Sequence, residues 1–203
     1  TRQASKLFAS QLLNNVCSDL SSKYKSWNER YLWDRNYSET RLPAVPSAIL
    51  ETMSHQNFND MVLGEDPNFK FDLARSVYKT IARFVNGMHG RPTVISPLSP
   101  ENFSVQLNGS QANLSWTPQY DPQEPTATPT RYVLYTAIGK AGFDNGVVIN
   151  KPSATVNLHP GVVYRFRVTA ANAGGESFPS ETMAAVYEPR ATQTVLVVNG
   201  FHR

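Results

Sequence analysis

The sequence predicts an α+β multidomain chain: a partial α/β segment in helix–strand–helix order, followed by an antiparallel β-sandwich. Two patterns along its 203 residues carry that prediction. Through residues 1–91, apolar residues recur at the three- and four-residue spacing of amphipathic helices, interrupted by one short apolar run. Beyond residue 100 the spacing becomes two, over short stretches separated by Gly, Pro and Asn turns. Residues 92–100 between them are rich in Pro and Ser, the composition of a semi-rigid linker. The expected units are thus 1–91, a linker at 92–100, a sandwich over 101–189, and a further domain's start or an edge strand at 190–203.

Composition narrows the function classes. Hydrophobic residues make up 40% and charged residues 17%, as in globular domains and unlike disordered chains. No apolar run approaches the ~18 residues that a membrane-spanning helix needs. The formal charge of +3 comes without a basic cluster, which argues against nucleic acid as a partner. One cysteine, Cys17, excludes an intrachain disulfide framework, and its place on the apolar side of a helix predicts an inert thiol. The chain opens on Thr1-Arg2-Gln3 with neither an initiator Met nor a leader, which predicts a processed product or an excised piece.

The first helix is expected from Ser5 to about Tyr24. Phe8, Leu12, Val16 and Leu20 recur every four residues, Leu13 and Cys17 widen the stripe, and Ser5 is the candidate N-cap. A polar and aromatic connection follows over residues 25–41, carrying Trp27, Tyr31, Trp33 and Tyr37. Its length suits a binding edge, and its aromatics equally suit a roof over the core. Residues 44–50 then read as a strand that stops on Glu51 and enters the polar loop Ser54-His55-Gln56-Asn57. In open α/β sheets ligands sit beyond the carboxyl ends of strands, where Glu51 falls.

Asp66 and Pro67 mark the start of a second helix, as N-cap and first helical residue. Phe71, Ala74, Tyr78, Ile81 and Val85 form its expected inner face, flanked by Leu73, Val77 and Phe84. Asp72, Arg75, Lys79, Arg83 and Asn86 form its outer face, and Gly87 and Gly90 are stop signals. A single strand cannot pair both its edges, so the segment reads as part of a larger α/β domain.

In the second half, Phe103, Val105 and Leu107 alternate, as do Leu114 and Trp116, then Tyr132, Leu134 and Thr136. Val156 and Leu158 precede a turn at His159-Pro160-Gly161, after which Tyr164, Phe166, Val168 and Ala170 alternate against Arg165, Arg167 and Thr169. Phe143-Asp144-Asn145-Gly146 is a hairpin-turn signature. Residues 119–130 form a Pro-rich connection, idle or gripping a neighbouring domain. The run 193–200 is continuous and β-branched, suited to a buried strand that opens another α/β domain or to an edge strand of the sandwich.

Two stretches resemble known families. Residues ~95–188 are similar to a fibronectin type III domain: Leu114-Ser115-Trp116, Tyr132-Val133-Leu134-Tyr135, and the long segment from Leu158 through Tyr164 to Asn172 fall in that family's order. The resemblance makes Trp116 the core tryptophan and Tyr164 the corner tyrosine, both structural. Earlier in the chain, Val45-Pro46-Ser47-Ala48-Ile49-Leu50-Glu51, the small polar stretch after it and the helix from Pro67 resemble the last part of zinc-dependent N-acetylmuramoyl-L-alanine amidases. That resemblance implies a general base and acid role for Glu51 beside zinc-bound water. It implies no metal ligands in this chain. The family's two His and one Glu lie upstream of the first helix, and His55, His89, His159 and His202 lack ligand spacing.

The combination resembles exported bacterial envelope proteins labelled xanthan lyases. The leading expectation is a fragment of a periplasmic or extracellular cell-wall hydrolase, with zinc in the parent protein and peptidoglycan or another envelope polysaccharide as partner. Contacts with missing flanking domains are expected too. A second expectation is a non-enzymatic carbohydrate-binding or scaffolding module with a vestigial amidase-like part. A polysaccharide lyase ranks last, because the Tyr/His/Arg set suited to a uronic acid is not evident.

Overall fold

The structure is a computed structural model that describes residues 2–25, 27 and 29–196. It divides into two units, Thr1–Thr93 and Val94–Arg203, each with its own core. The N-terminal unit is helical: α1 (Arg2–Lys23), α2 (Ser38–Arg41), α3 (Phe58–Glu65) and α4 (Pro67–Met88). The second unit is an antiparallel sandwich, so the α+β expectation holds.

The α1–α4 seam is the core of the first unit. Leu12, Val16 and Leu20 of α1 are buried against Phe69 of α4, with Phe8, Leu73 and Val77 packed alongside. The stripe predicted on α1 is therefore its packed face. The helix begins three residues earlier than expected, so Ser5 is no N-cap; its hydroxyl instead accepts the Ser47 backbone N–H at 3.2 Å. On α4 the predicted cap is in place, with the Asp66 carboxylate accepting from Asn68 N at 2.9 Å. At the other end Gly90 adopts φ +63 and Arg91 N–H closes on Asn86 O at 2.9 Å, while Gly87 stays inside the helix.

The face of α4 that packs is not the one predicted. Phe71, Tyr78, Ile81 and Val85 are 37–47% exposed, whereas Phe69, Ser76, Lys79, Thr80 and Phe84 are buried. This helix carries two adjoining apolar stripes, and the one that packs holds the expected flanks Leu73, Val77 and Phe84; periodicity alone does not choose between the stripes. Polar chemistry does. Ser76 Oγ donates to Asp19 Oδ2 at 2.7 Å, Lys79 Nζ lies 2.8 Å from the same oxygen, and Asn15 Nδ2 donates to Thr80 Oγ1 at 3.2 Å. Lys79, expected in solvent, has a side chain only 3% exposed. At the upper end of the seam, Lys23 and Tyr24 both reach Asp72, at 2.7 and 2.9 Å. Burial, with that hydrogen bond second, pushes the Tyr24 hydroxyl up to about 12.

The strand expected over 44–50 does not form. An extended backbone needs a neighbour to exchange hydrogen bonds, and the described residues of this unit contain no other strand.

The sandwich comprises β1 (Glu101–Asn108), β2 (Gln111–Thr117), β3 (Arg131–Ile138), β4 (Val147–Ile149), β5 (Ser153–Asn157), β6 (Val163–Asn172), β7 (Gly175–Glu176) and β8 (Met183–Val186). One sheet has the order β1-β2-β5 and the other β4-β3-β6-β7, with β8 following β7 along the same side of β6. Phe103, Leu114, Trp116, Tyr132, Leu134, Tyr164, Phe166 and Val168 fill the space between them, the alternating set read from the sequence. Tyr164 Oη accepts the His159 backbone N–H at 3.3 Å, the predicted corner. The connection over 119–130 is pinned to its own unit: Asn172 Nδ2 donates to Thr126 O and Ile95 O at 3.0 and 2.8 Å. Ile95, within the expected linker, is fully buried in the sandwich unit. Residues 193–196 carry no strand, and the rest of the predicted terminal run lies outside the described residues.

Two outcomes follow. Asp19→Ala leaves the Lys79 ammonium buried and unpaired, so it should cost about 3–5 kcal/mol, while the double change Asp19→Leu, Lys79→Met should restore most of it. Chemical denaturation followed by helical circular dichroism reads both. Tyr164→Phe should lower sandwich stability by about 1 kcal/mol, seen as an earlier thermal transition of the near-ultraviolet aromatic signal.

Candidate functional site

The long connection between α1 and α3 has no ladder of its own, and its position comes from isolated hydrogen bonds to side chains. Ser47 ties it twice, through its N–H to Ser5 and through its hydroxyl to Thr40 O at 3.0 Å. Farther on, Asp60 of α3 accepts Ser54 N–H at 2.8 Å, and Asn57 caps α3 by accepting from Asn59 N at 3.0 Å. These ties fix both ends of the stretch that carries Glu51.

The connection and one face of α1 enclose an open cleft of about 1530 Å³. Glu51 and His55 stand in its wall, as do Tyr31, Trp33 and Tyr37. Glu51 is exposed. Among the described residues no three His, Cys, Asp or Glu side chains converge as a metal-binding group. The residues around Glu51 thus do not form a metal site by themselves. Cys17 is half-buried below the cleft, and burial, with the Glu29 charge second, pushes its thiol up and away from the reactive thiolate.

The aromatic residues divide between the two roles foreseen for them. Trp27 roofs the core, its ring 5.1 Å from that of Phe69, with Tyr24 at 5.0 Å on the same ring. Tyr31, Trp33 and Tyr37 do not pack inward; each is 51–52% exposed. Tyr31 and Trp33 form a pair with ring centroids 5.0 Å apart and planes tilted by 30°. The Arg35 guanidinium lies 4.1 Å from the Trp33 centroid and that of Arg30 lies 5.6 Å from Tyr31. These arginines were not singled out in the sequence, although each stands within two residues of an aromatic it covers. At the mouth of the cleft, the Arg2–Asp34 ion pair at 3.0 Å joins α1 to the loop.

In the second unit the two packed sheets, the core Trp116 and the Tyr164 corner agree with one family. Residues 98–186 match the fibronectin type III domain. Solved structures similar to this part include the twitchin kinase region from C. elegans, at 20% identity over 49% of this chain and 18% of that one, with a TM-score of 0.42. The titin kinase with its flanking domains is 25% identical over 46% of this chain and 18% of that one, TM-score 0.39. A solution structure of a human fibronectin type III domain is 26% identical over 49% of this chain and 85% of that one, TM-score 0.41. No curated protein matches the chain. Among the described residues no helix is long and apolar enough to cross a membrane.

Ser5→Ala should leave Ser47 N–H without its acceptor and loosen the Glu51 stretch. Amide hydrogen exchange of residues 44–57 is expected to accelerate about fivefold, equivalent to a loss of about 1 kcal/mol, with α4 amides unchanged.

Proposed function

We propose that this chain belongs to an exported cell-envelope protein and acts as a non-catalytic binding and spacing module. Its N-terminal cleft grips a polysaccharide such as peptidoglycan, and its fibronectin type III domain sets the distance to further parts of the molecule. The observation that carries this reading is the half-exposed Tyr31–Trp33 pair in the cleft wall. Large aromatic faces left in water cost free energy, and a sugar ring recovers it by laying its apolar C–H face on them. Arg30 and Arg35 add donors suited to the carboxylates and amides of glycan–peptide polymers.

A second reading is favoured by one observation: Glu51 stands in the wall of the same cleft. In it the parent would be a hydrolase of the N-acetylmuramoyl–L-alanine amide, and Glu51 would be the group that takes the proton from water and returns it to the leaving amine. The metal ligands of such an enzyme are not formed by the described residues.

Sedimentation with purified peptidoglycan separates the readings. Trp33→Ala should weaken binding about tenfold, and Glu51→Gln should leave it unchanged. Under the hydrolase reading Glu51→Gln abolishes muropeptide release by the parent protein. Undiminished binding by Trp33→Ala would remove the basis of the binding reading.

A further inference from the structure

The outer face of the β3–β6 pairing holds a cation whose hydrogen-bonding capacity the fold leaves unused. Tyr135 and Arg167 are cross-strand partners in the ladder. The Arg167 guanidinium lies 4.2 Å from the Phe143 ring centroid and 5.2 Å from that of Tyr135. Among the described residues it has no hydrogen-bond or ion-pair partner, and its Nε–H is buried and unpaired. The adjacent carboxylates are already engaged. Asp144 Oδ1 accepts from Thr136 N and Gly146 N, each at 3.0 Å. Glu176 Oε1 accepts from the Tyr135 hydroxyl at 2.5 Å and from the Thr169 hydroxyl.

Arg165 stands two residues along on the same face. It donates through Nη2 to Gly139 O and Ala141 O, at 3.3 and 2.6 Å, and its Nε–H is likewise buried and unpaired. Beyond Arg165 lies the cross-strand pair Val163–Val186, and beyond Tyr135 the pair Val133–Val148. Val163, Val186 and Val148 are exposed. Along β6 this face therefore reads Val163, Arg165, Arg167 and Thr169, with the Val133–Val148 pair beside Thr169 and the Glu176 carboxylate on the Thr169 hydroxyl.

We propose that this face binds an extended acidic peptide, with Arg167 receiving one of its carboxylates. A guanidinium deprived of acceptors gains a charge-assisted, planar hydrogen-bonded pair when a carboxylate arrives. The two rings hold it in place beforehand, so little side-chain freedom is lost on binding. Arg165 and Arg167 are spaced by roughly 6.6–7 Å along the strand, the repeat at which an extended peptide presents alternate side chains. The flanking valines match apolar side chains on the same face of the peptide, two residues outside each acid, and they leave the hydroxyl-rich surface of an acidic polysaccharide unmatched. The site is independent of the cleft in the helical unit.

The full chain is titrated with a capped peptide that carries two glutamates at alternate positions, serine between them and valine at the next alternate position on either side, while nitrogen–proton spectra of its arginine side chains are recorded. The Arg167 Nε–H signal should move, binding should weaken with salt, and Arg167→Gln should weaken it about tenfold. Phe143→Leu, which keeps the cation and loosens its seat, should weaken binding several-fold, and Arg190→Gln should have no effect. Thermal melts of each variant establish that the sandwich is intact. Equal binding of the glutamine-for-glutamate peptide, equally tight binding of polygalacturonate, or a stationary Arg167 signal in wild type would each overturn the proposal.

Discussion

The seam between α1 and α4 is the packed core of the helical unit, and the long connection after α1 packs Trp27, Ala48 and Leu50 against it. Leu12, Val16 and Leu20 meet Phe69 there, and the Asp19–Lys79 pair lies at the same contact. A buried ion pair adds little net stability, because the desolvation of both charges offsets their attraction. Its effect is on choice. Rotating α4 to bury Phe71, Ile81 and Val85 instead would remove Lys79 from Asp19 and Ser76 from its acceptor, leaving groups unpaired near the core. The arrangement thus sacrifices some apolar burial to satisfy polar groups.

The same accounting explains why one apolar run became a strand and another did not. In the sandwich, Tyr132 to Leu134 finds β4 on one side and β6 on the other, so each of these residues has a partner in both ladders. Residues 44–50 have comparable apolar content, yet among the described residues only Ser47 finds hydrogen-bond partners, in Ser5 and Thr40. Strand formation is a property of neighbours as much as of the segment.

That distinction marks what the sequence made legible. Most of the sandwich core was readable, because period-two alternation is local and the predicted inward residues, from Phe103 to Ala170, met others of the same kind, with Leu107 left exposed and Thr136 outside the cluster. The α1 stripe and the Asp66 cap were readable for the same reason. The α4 face was not, since the deciding groups, Asn15 and Asp19, lie more than fifty residues away in sequence. At the cleft, the sequence pointed to Glu51 and the aromatic loop, and both line the same cleft. It gave no warning of Arg35 over Trp33, or of Phe143 over Arg167, because a cation finding a ring across a loop leaves no periodic trace.

Those two contacts are chemically alike and differ in their support. The Arg35 guanidinium is 4.1 Å from Trp33 and that of Arg167 is 4.2 Å from Phe143. Arg35 and Trp33 share one irregular loop, held by few hydrogen bonds, so a ligand there must meet part of the cost of ordering it. Arg167 projects from the central β6, with Tyr135 on the adjoining strand locked by its hydroxyl to Glu176. Phe143 sits just before Asp144, whose carboxylate fixes the turn through two backbone N–H groups. Preorganisation of that kind converts contact into affinity with less loss to ordering. A loop platform suits a repetitive polymer that many weak contacts can hold, whereas the strand-borne arginine suits a single carboxylate in a defined register.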